Sequence, residues 1–142
     1  MMLLNIAIAC CLFMGTTVIH AGGMMLAFRL MQFETEHPNK WINLLPIVKV
    51  SNIVILMFLV SVAEVLLWAS VYIGLDAIED LENALYFSMV TYTTLGYGDI
   101  VLQEKWHLLA SFQAANGIIM FGWTTSIVIA VVTHVYFKGK YK

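Results

Sequence analysis

Residues 81–99 read LENALYFSMVTYTTLGYGD, and the two halves of that stretch obey different rules. In the first half, Leu85, Met89 and Tyr92 recur at helical spacing. Asp80 and Glu82 place negative charge where a helix N-terminus favours it. The helix expected over residues 81–93 is roughly 20 Å long, too short to cross a hydrocarbon core of about 30 Å. The second half, Thr93-Thr94-Leu95-Gly96-Tyr97-Gly98-Asp99, breaks the helix with two glycines. The whole stretch is too apolar for a simple outer loop, so it is expected to enter a membrane partway and return. Backbone outside a helix is tolerated at membrane depth only inside protein or beside water. The pattern therefore predicts an aqueous path.

The rest of the chain supplies the membrane. Its 142 residues are 61% hydrophobic and 11% charged, with a mean hydropathy of +0.87. A soluble domain carries about 25% charged residues, so too few charges are present to cover a water-facing surface. A net charge of -2 and a pI near 6.0 argue against nucleic acid as a partner. Cys10 and Cys11 are adjacent and make no disulfide framework; they are expected to pack as small apolar residues. Three long apolar runs stand out: 1–28, 50–75 (broken only by Glu64) and 108–137. The first has no basic n-region and is too long for a signal peptide, so it is expected to be a retained helix. Gly15, Gly22 and Gly23 on it mark close packing or a bend.

Positive charge sets the expected orientation. Arg29, Lys40 and Lys49 lie between the first two runs and Lys138, Lys140 and Lys142 in the tail, against Lys105 alone between the second and third. The 29–49 connection and the C-terminus are thus expected in the cytoplasm, with Met1 outside, in a multi-pass protein of a plasma or inner membrane. Trp41 and Trp106 suit interfacial positions, and residues 41–48 suit a short surface helix. Asp76, Glu79, Asp80 and Glu82 make the outer segment acidic.

At residues 93–99 the chain resembles the selectivity filter of tetrameric potassium channels, where TTVGYGD is common and TTLGYGD stands here. The wider resemblance, outer helix, pore helix, filter and inner helix, covers roughly residues 50–137. It implies an all-α membrane protein of three transmembrane helices, with a re-entrant pore helix and filter loop between the second and third. The expected layout is a first helix over 1–31, a cytoplasmic connection over 32–49, a pore module over 50–137 and a tail over 138–142. Within the module lie the outer helix (50–75), pore helix (81–93), filter (94–99) and inner helix (108–137). By resemblance, the carbonyls of Thr94, Leu95, Gly96 and Tyr97 hold K+, helped by the Thr94 hydroxyl. Gly98, Asp99 and Tyr86 support them. Successive carbonyls can face one axis only if alternate residues take costly dihedrals, which suits Gly96 and Gly98. One chain brings one strand of the ring, so the resemblance implies three further copies in a homotetramer. Four departures stand out. Val90 replaces a frequent acid, Tyr86 a frequent tryptophan thirteen residues before Asp99, Leu95 the commoner valine, and Leu102 a proline. The Tyr86 phenol is expected to bond Asp99 in the role of the tryptophan.

Gly117 is placed as packing contact or hinge of the inner helix, with Gly122 as the alternative. Met120, Thr124 and Ile127 share a face and are candidate cavity residues. No span carries a basic residue at every third position, so no voltage sensor is expected, and with five residues after Phe137 no regulatory domain is expected to follow. Glu64 is expected as a buried, hydrogen-bonded carboxyl near His20, Thr16 or Asn116, with pH sensing as the alternative. His20 suits helix packing, and His107 suits an anchor near the mouth. Glu34, Glu36 and His37 lack a metal signature and suit a solvated loop. The function expected is passive, potassium-selective conduction with no cofactor, lipid and like subunits as partners, and an unknown regulatory partner as a further possibility. The rivals are a weakly selective cation channel of the same architecture and a non-conducting interaction subunit. An enzyme is not expected, because no nucleophile–base spacing is present.

Overall fold

The computed structural model describes residues 1–32 and 45–137. Four α-helices follow in chain order: α1 (Met2–Gln32), α2 (Leu45–Gly74), α3 (Leu81–Tyr92) and α4 (His107–Phe137), with a 3₁₀ turn over Glu104–Trp106 before the last. No strand occurs among the described residues. Three helices, α1, α2 and α4, are long and apolar enough to span a membrane. Arg29 in the last turn of α1 complements the negative end of the helix dipole. α2 begins five residues before the apolar run, with Pro46 in its first turn, where a missing N–H costs little. Residues 45–48, read from sequence as part of a surface helix, are the first turn of α2; residues 41–44 lie outside the described chain. So do Glu34, Glu36, His37, Lys40 and the tail lysines.

α2 ends in a left-handed turn at Asp76, φ 50°. The Asp76 amide donates to the Ile73 carbonyl at 3.0 Å and the Ala77 amide to that of Tyr72 at 2.9 Å, closing the helix end. Asp80 then opens α3: its carboxylate accepts from the Asn83 amide at 2.9 Å and the Asn83 side chain at 2.7 Å. α3 and the return leg are threaded between α2 and α4.

Two apolar clusters hold the bundle. At one end Trp68, Tyr72, Ile78, Phe87, Leu102, Trp106 and Leu109 pack with Ala9 and Leu12 of α1. Trp106, on the 3₁₀ turn, is buried in this cluster. At the other end Ala27, Ile53, Met57, Val60, Ile127 and Val131 join α1, α2 and α4. Gly23 lets α1 approach Val60 so closely that a methyl group there would overlap it. Between the clusters lies a belt of buried polar side chains: Thr16, His20, Glu64, Ser88, Gln113 and Asn116. α1 is docked along this belt and at its start, where the Asn5 amide donates to the Lys105 carbonyl at 2.8 Å. Cys10 and Cys11 face outward instead of packing inside.

Candidate functional site

α3 starts beside the last turns of α2 and ends against the middles of α2 and α4. Tyr92, its last residue, is buried with Val65 and Met120. Its carbonyl sits on Gly117, where any Cβ would collide with it. Gly117 is thus a contact point between α3 and α4, and at Gly122 nothing lies within 4 Å. The chain leaves α3 through Thr93, whose hydroxyl donates to the Met89 carbonyl at 2.8 Å. It then turns back along the helix that brought it.

The dihedrals of that turn alternate. Thr94 has φ 58°, Gly96 58° and Gly98 77°, with ordinary residues between. The left-handed region is open to glycine but costs a β-branched residue such as threonine about 1–2 kcal/mol. Thr94 is held there from both sides. Its amide donates to the Thr91 carbonyl at 2.9 Å, and the Leu95 amide donates to that of Val90 at 3.0 Å. From sequence only the two glycines stood out as positions for costly dihedrals; Thr94 continues the alternation inward. The backbone from 94 to 98 thus alternates in handedness. Residues 93–99 are all exposed in the single chain, with Leu95 56% and Tyr97 67% accessible.

The return leg is pinned to α3. The Tyr86 hydroxyl donates to Asp99 Oδ2 at 2.6 Å, the bond expected from the resemblance, in which a tryptophan often holds that position. Asp99 Oδ1 accepts from the Ile100 amide at 3.0 Å. The Tyr86 bond, followed by the Ile100 amide, holds the Asp99 carboxyl below the usual carboxylate range. Val90 is buried behind the loop, so no acid stands there. Leu102, in place of a proline, is buried in the end cluster, and His107 Nε2 donates to its carbonyl at 2.6 Å.

The candidate cavity residues divide. Met120 and Ile127 are buried in the chain's own interior, the first with Tyr92, the second with Met57 and Val131. Thr124 lines an apolar cleft with Val54, Phe58, Met89, Thr93 and Phe121. The face of α4 left free carries Ile118, Gly122, Thr125, Ser126 and Ile129 instead. A helix that is apolar all round gives no periodicity from which to choose that face.

Two hydrogen-bond chains cross the polar belt. The Tyr72 hydroxyl donates to Gln113 Oε1 at 2.7 Å, Gln113 Nε2 donates to Ser88 Oγ at 2.7 Å, and Ser88 Oγ donates to the Val65 carbonyl at 2.8 Å. In the second, His20 Nδ1 lies 2.9 Å from Glu64 Oε1, and the Tyr92 hydroxyl donates to Glu64 Oε2. Nearby, the Thr16 hydroxyl donates to Asn116 Oδ1 at 3.2 Å. Of the three partners weighed for Glu64, His20 is the one it meets. Tyr92 was legible only as a periodic apolar position, because its hydroxyl partner is 28 residues away.

Among the described residues no group of three or more His, Cys, Asp or Glu side chains stands close enough to hold a metal ion. No curated protein and no solved structure matches the chain. A family model described as ion channel matches residues 53–134, from the third turn of α2 through α3 and the loop to the last turn of α4. That span is more than half of the chain; it contains α3 and the loop whole and most of α2 and α4, and it leaves out α1. The chain belongs to this ion-channel family.

Proposed function

We propose that this ion channel is potassium-selective and that four copies form it, each bringing residues 94–98 as one wall of the filter. The observation that carries the reading is the alternation of left-handed dihedrals at Thr94, Gly96 and Gly98. Alternating handedness turns successive carbonyls to the same side of the strand. A dehydrated potassium ion needs a stack of such oxygens in place of its water shell. The carbonyls of Thr94, Leu95, Gly96 and Tyr97 would supply it. The C-terminal end of α3 points its negative dipole end at the inner mouth and favours a cation there.

The exposure of the loop supports the assembly. Exposed backbone that lacks helical partners is not stable in lipid, and three further copies around an axis would enclose it. Tyr97 and Leu95, uncovered in one chain, would pack against the neighbouring copies and brace the ring. The free face of α4, with Thr125 and Ser126, would line the water-filled path below. α3 and the loop would then form the re-entrant segment, entered from the outer side, with the connection between α1 and α2 in the cytoplasm. Ions would pass in single file, down their gradient, with no cofactor.

Flux of K+ and Na+ through the purified protein in liposomes tests the proposal, alongside Gly96→Ala. Nothing crowds a Cβ at Gly96, but its φ of 58° strains any L-residue by about 1–2 kcal/mol. Potassium flux well above sodium, lost in the variant, is the expected result. Equal flux of both ions would instead make this a weakly selective cation channel. No flux from a reconstituted tetramer would point to a non-conducting subunit.

A further inference from the structure

The family match leaves α1 without a role, yet α1 sends a buried side chain toward the loop. His20 is fully buried, and its Nδ1 lies 2.9 Å from one oxygen of Glu64, also fully buried. The other Glu64 oxygen accepts from the hydroxyl of Tyr92, which is 1% exposed. Tyr92 is two residues before the left-handed Thr94. Its ring meets Phe121 edge-on at 5.3 Å, and its carbonyl rests on Gly117.

We infer that His20 and Glu64 are positioning residues for the filter: α1 orients the Glu64 carboxyl, which holds the Tyr92 hydroxyl and thereby sets the end of α3 from which Thr94 departs. A buried acid among packed helices is costly, and apolar residues of similar volume often pack there at no loss of stability. What two directed hydrogen bonds add is orientation, because apolar contacts allow a helix end to slide or rotate while donor and acceptor geometry does not. Thr94 needs such support, since a β-branched residue keeps a left-handed conformation only where its surroundings over-determine it. The other two polar contacts of α1 lead elsewhere, Asn5 to the Lys105 carbonyl and Thr16 to Asn116. The inference rests on the reading of residues 94–97 as the filter.

The test uses the full chain in liposomes, comparing wild type with His20→Ala, His20→Gln, Tyr92→Phe and Thr16→Val. His20→Ala and Tyr92→Phe are expected to lower the K+ over Na+ flux ratio about tenfold, the scale of one lost directed interaction. Thr16→Val, which removes a different buried bond of α1, is expected to leave the ratio within about twofold of wild type. His20→Gln, whose amide can donate to Glu64, is expected to recover most of the loss. A second readout does not depend on conduction: hydrogen exchange of the fragment holding the Leu95 and Gly96 amides, both directed at the Val90 carbonyl. It is expected to quicken in His20→Ala and Tyr92→Phe and not in Thr16→Val. Unchanged exchange in both variants, or equal effects in Thr16→Val, would overturn the inference and leave α1 as a packing helix. A wild type that conducts both ions equally would overturn the filter reading, while the exchange comparison would still decide the positioning role. Tyr92→Phe removes a single oxygen atom and keeps the comparison available where His20→Ala does not fold.

Discussion

Asp99 is exposed, and its carboxyl is nevertheless held by two bonds, one from Tyr86 that ties the return leg to α3 and one from the adjacent Ile100 amide. Because the Tyr86 hydroxyl bonds the ionised form, the folded-state pKa lies below the ordinary value. The contribution of the bond is then complete above the ordinary carboxylate pKa and is lost as pH falls through the lowered one. A pH between roughly 5 and 8 should therefore leave the Tyr86–Asp99 bond intact. Any pH response in that window has to come from another group. Tyr86→Phe should move the Asp99 pKa back up toward the ordinary range. Titration of the Asp99 carboxyl carbon by NMR, with and without the substitution, checks both statements.

At the scale of elements, two glycines of α4 should respond in opposite ways. Gly117→Val drives a side chain into the Tyr92 carbonyl and should cost about 1–3 kcal/mol or more by overpacking. Gly122→Ala meets open space and should gain up to about 1 kcal/mol from helix propensity. Thermal unfolding in detergent distinguishes them. A hinge at Gly117 would instead appear as altered gating with little change in stability. The join between α2, α3 and α4 makes a further prediction. Gln113→Leu leaves the Tyr72 hydroxyl without its acceptor, at about 1–3 kcal/mol for a buried polar group left unpaired, while Ser88 keeps its bond to the Val65 carbonyl. Adding Tyr72→Phe should return part of that loss, because removing both partners costs less than removing one. The double-mutant cycle measures the coupling.

At the scale of the whole molecule, Leu95, Tyr97 and the free face of α4 are uncovered in the single chain, and the proposed tetramer would cover them. Purified protein should run at about four times the 16.0 kDa chain mass by native mass spectrometry. If K+ binds only the assembled ring, it should stabilise that ring by mass action. Replacing K+ with a large organic cation should lower the temperature at which the tetramer dissociates, and Gly96→Ala should remove the difference. A tetramer indifferent to K+ would argue against ion sites between the copies.

Much of this was legible in the residues because it is written in local chemistry. Length and hydropathy mark three spanning helices, since lipid admits only backbone that bonds to itself. Asp80 marks the start of α3, because a carboxylate there satisfies free amides one turn on. The glycine spacing marks the loop, because few other residues take a positive φ. What the tertiary structure alone decided are the contacts between distant segments. Hydropathy that is uniform around α4 could not say that Met120 and Ile127 turn inward while Thr125 and Ser126 stay free. Nor could spacing say that Gly117 carries the Tyr92 carbonyl, or that one acid in α2 joins a histidine 44 residues before it to a tyrosine 28 residues after. Directed bonds between helices depend on how the helices rotate and dock, and that is settled only when all four pack at once.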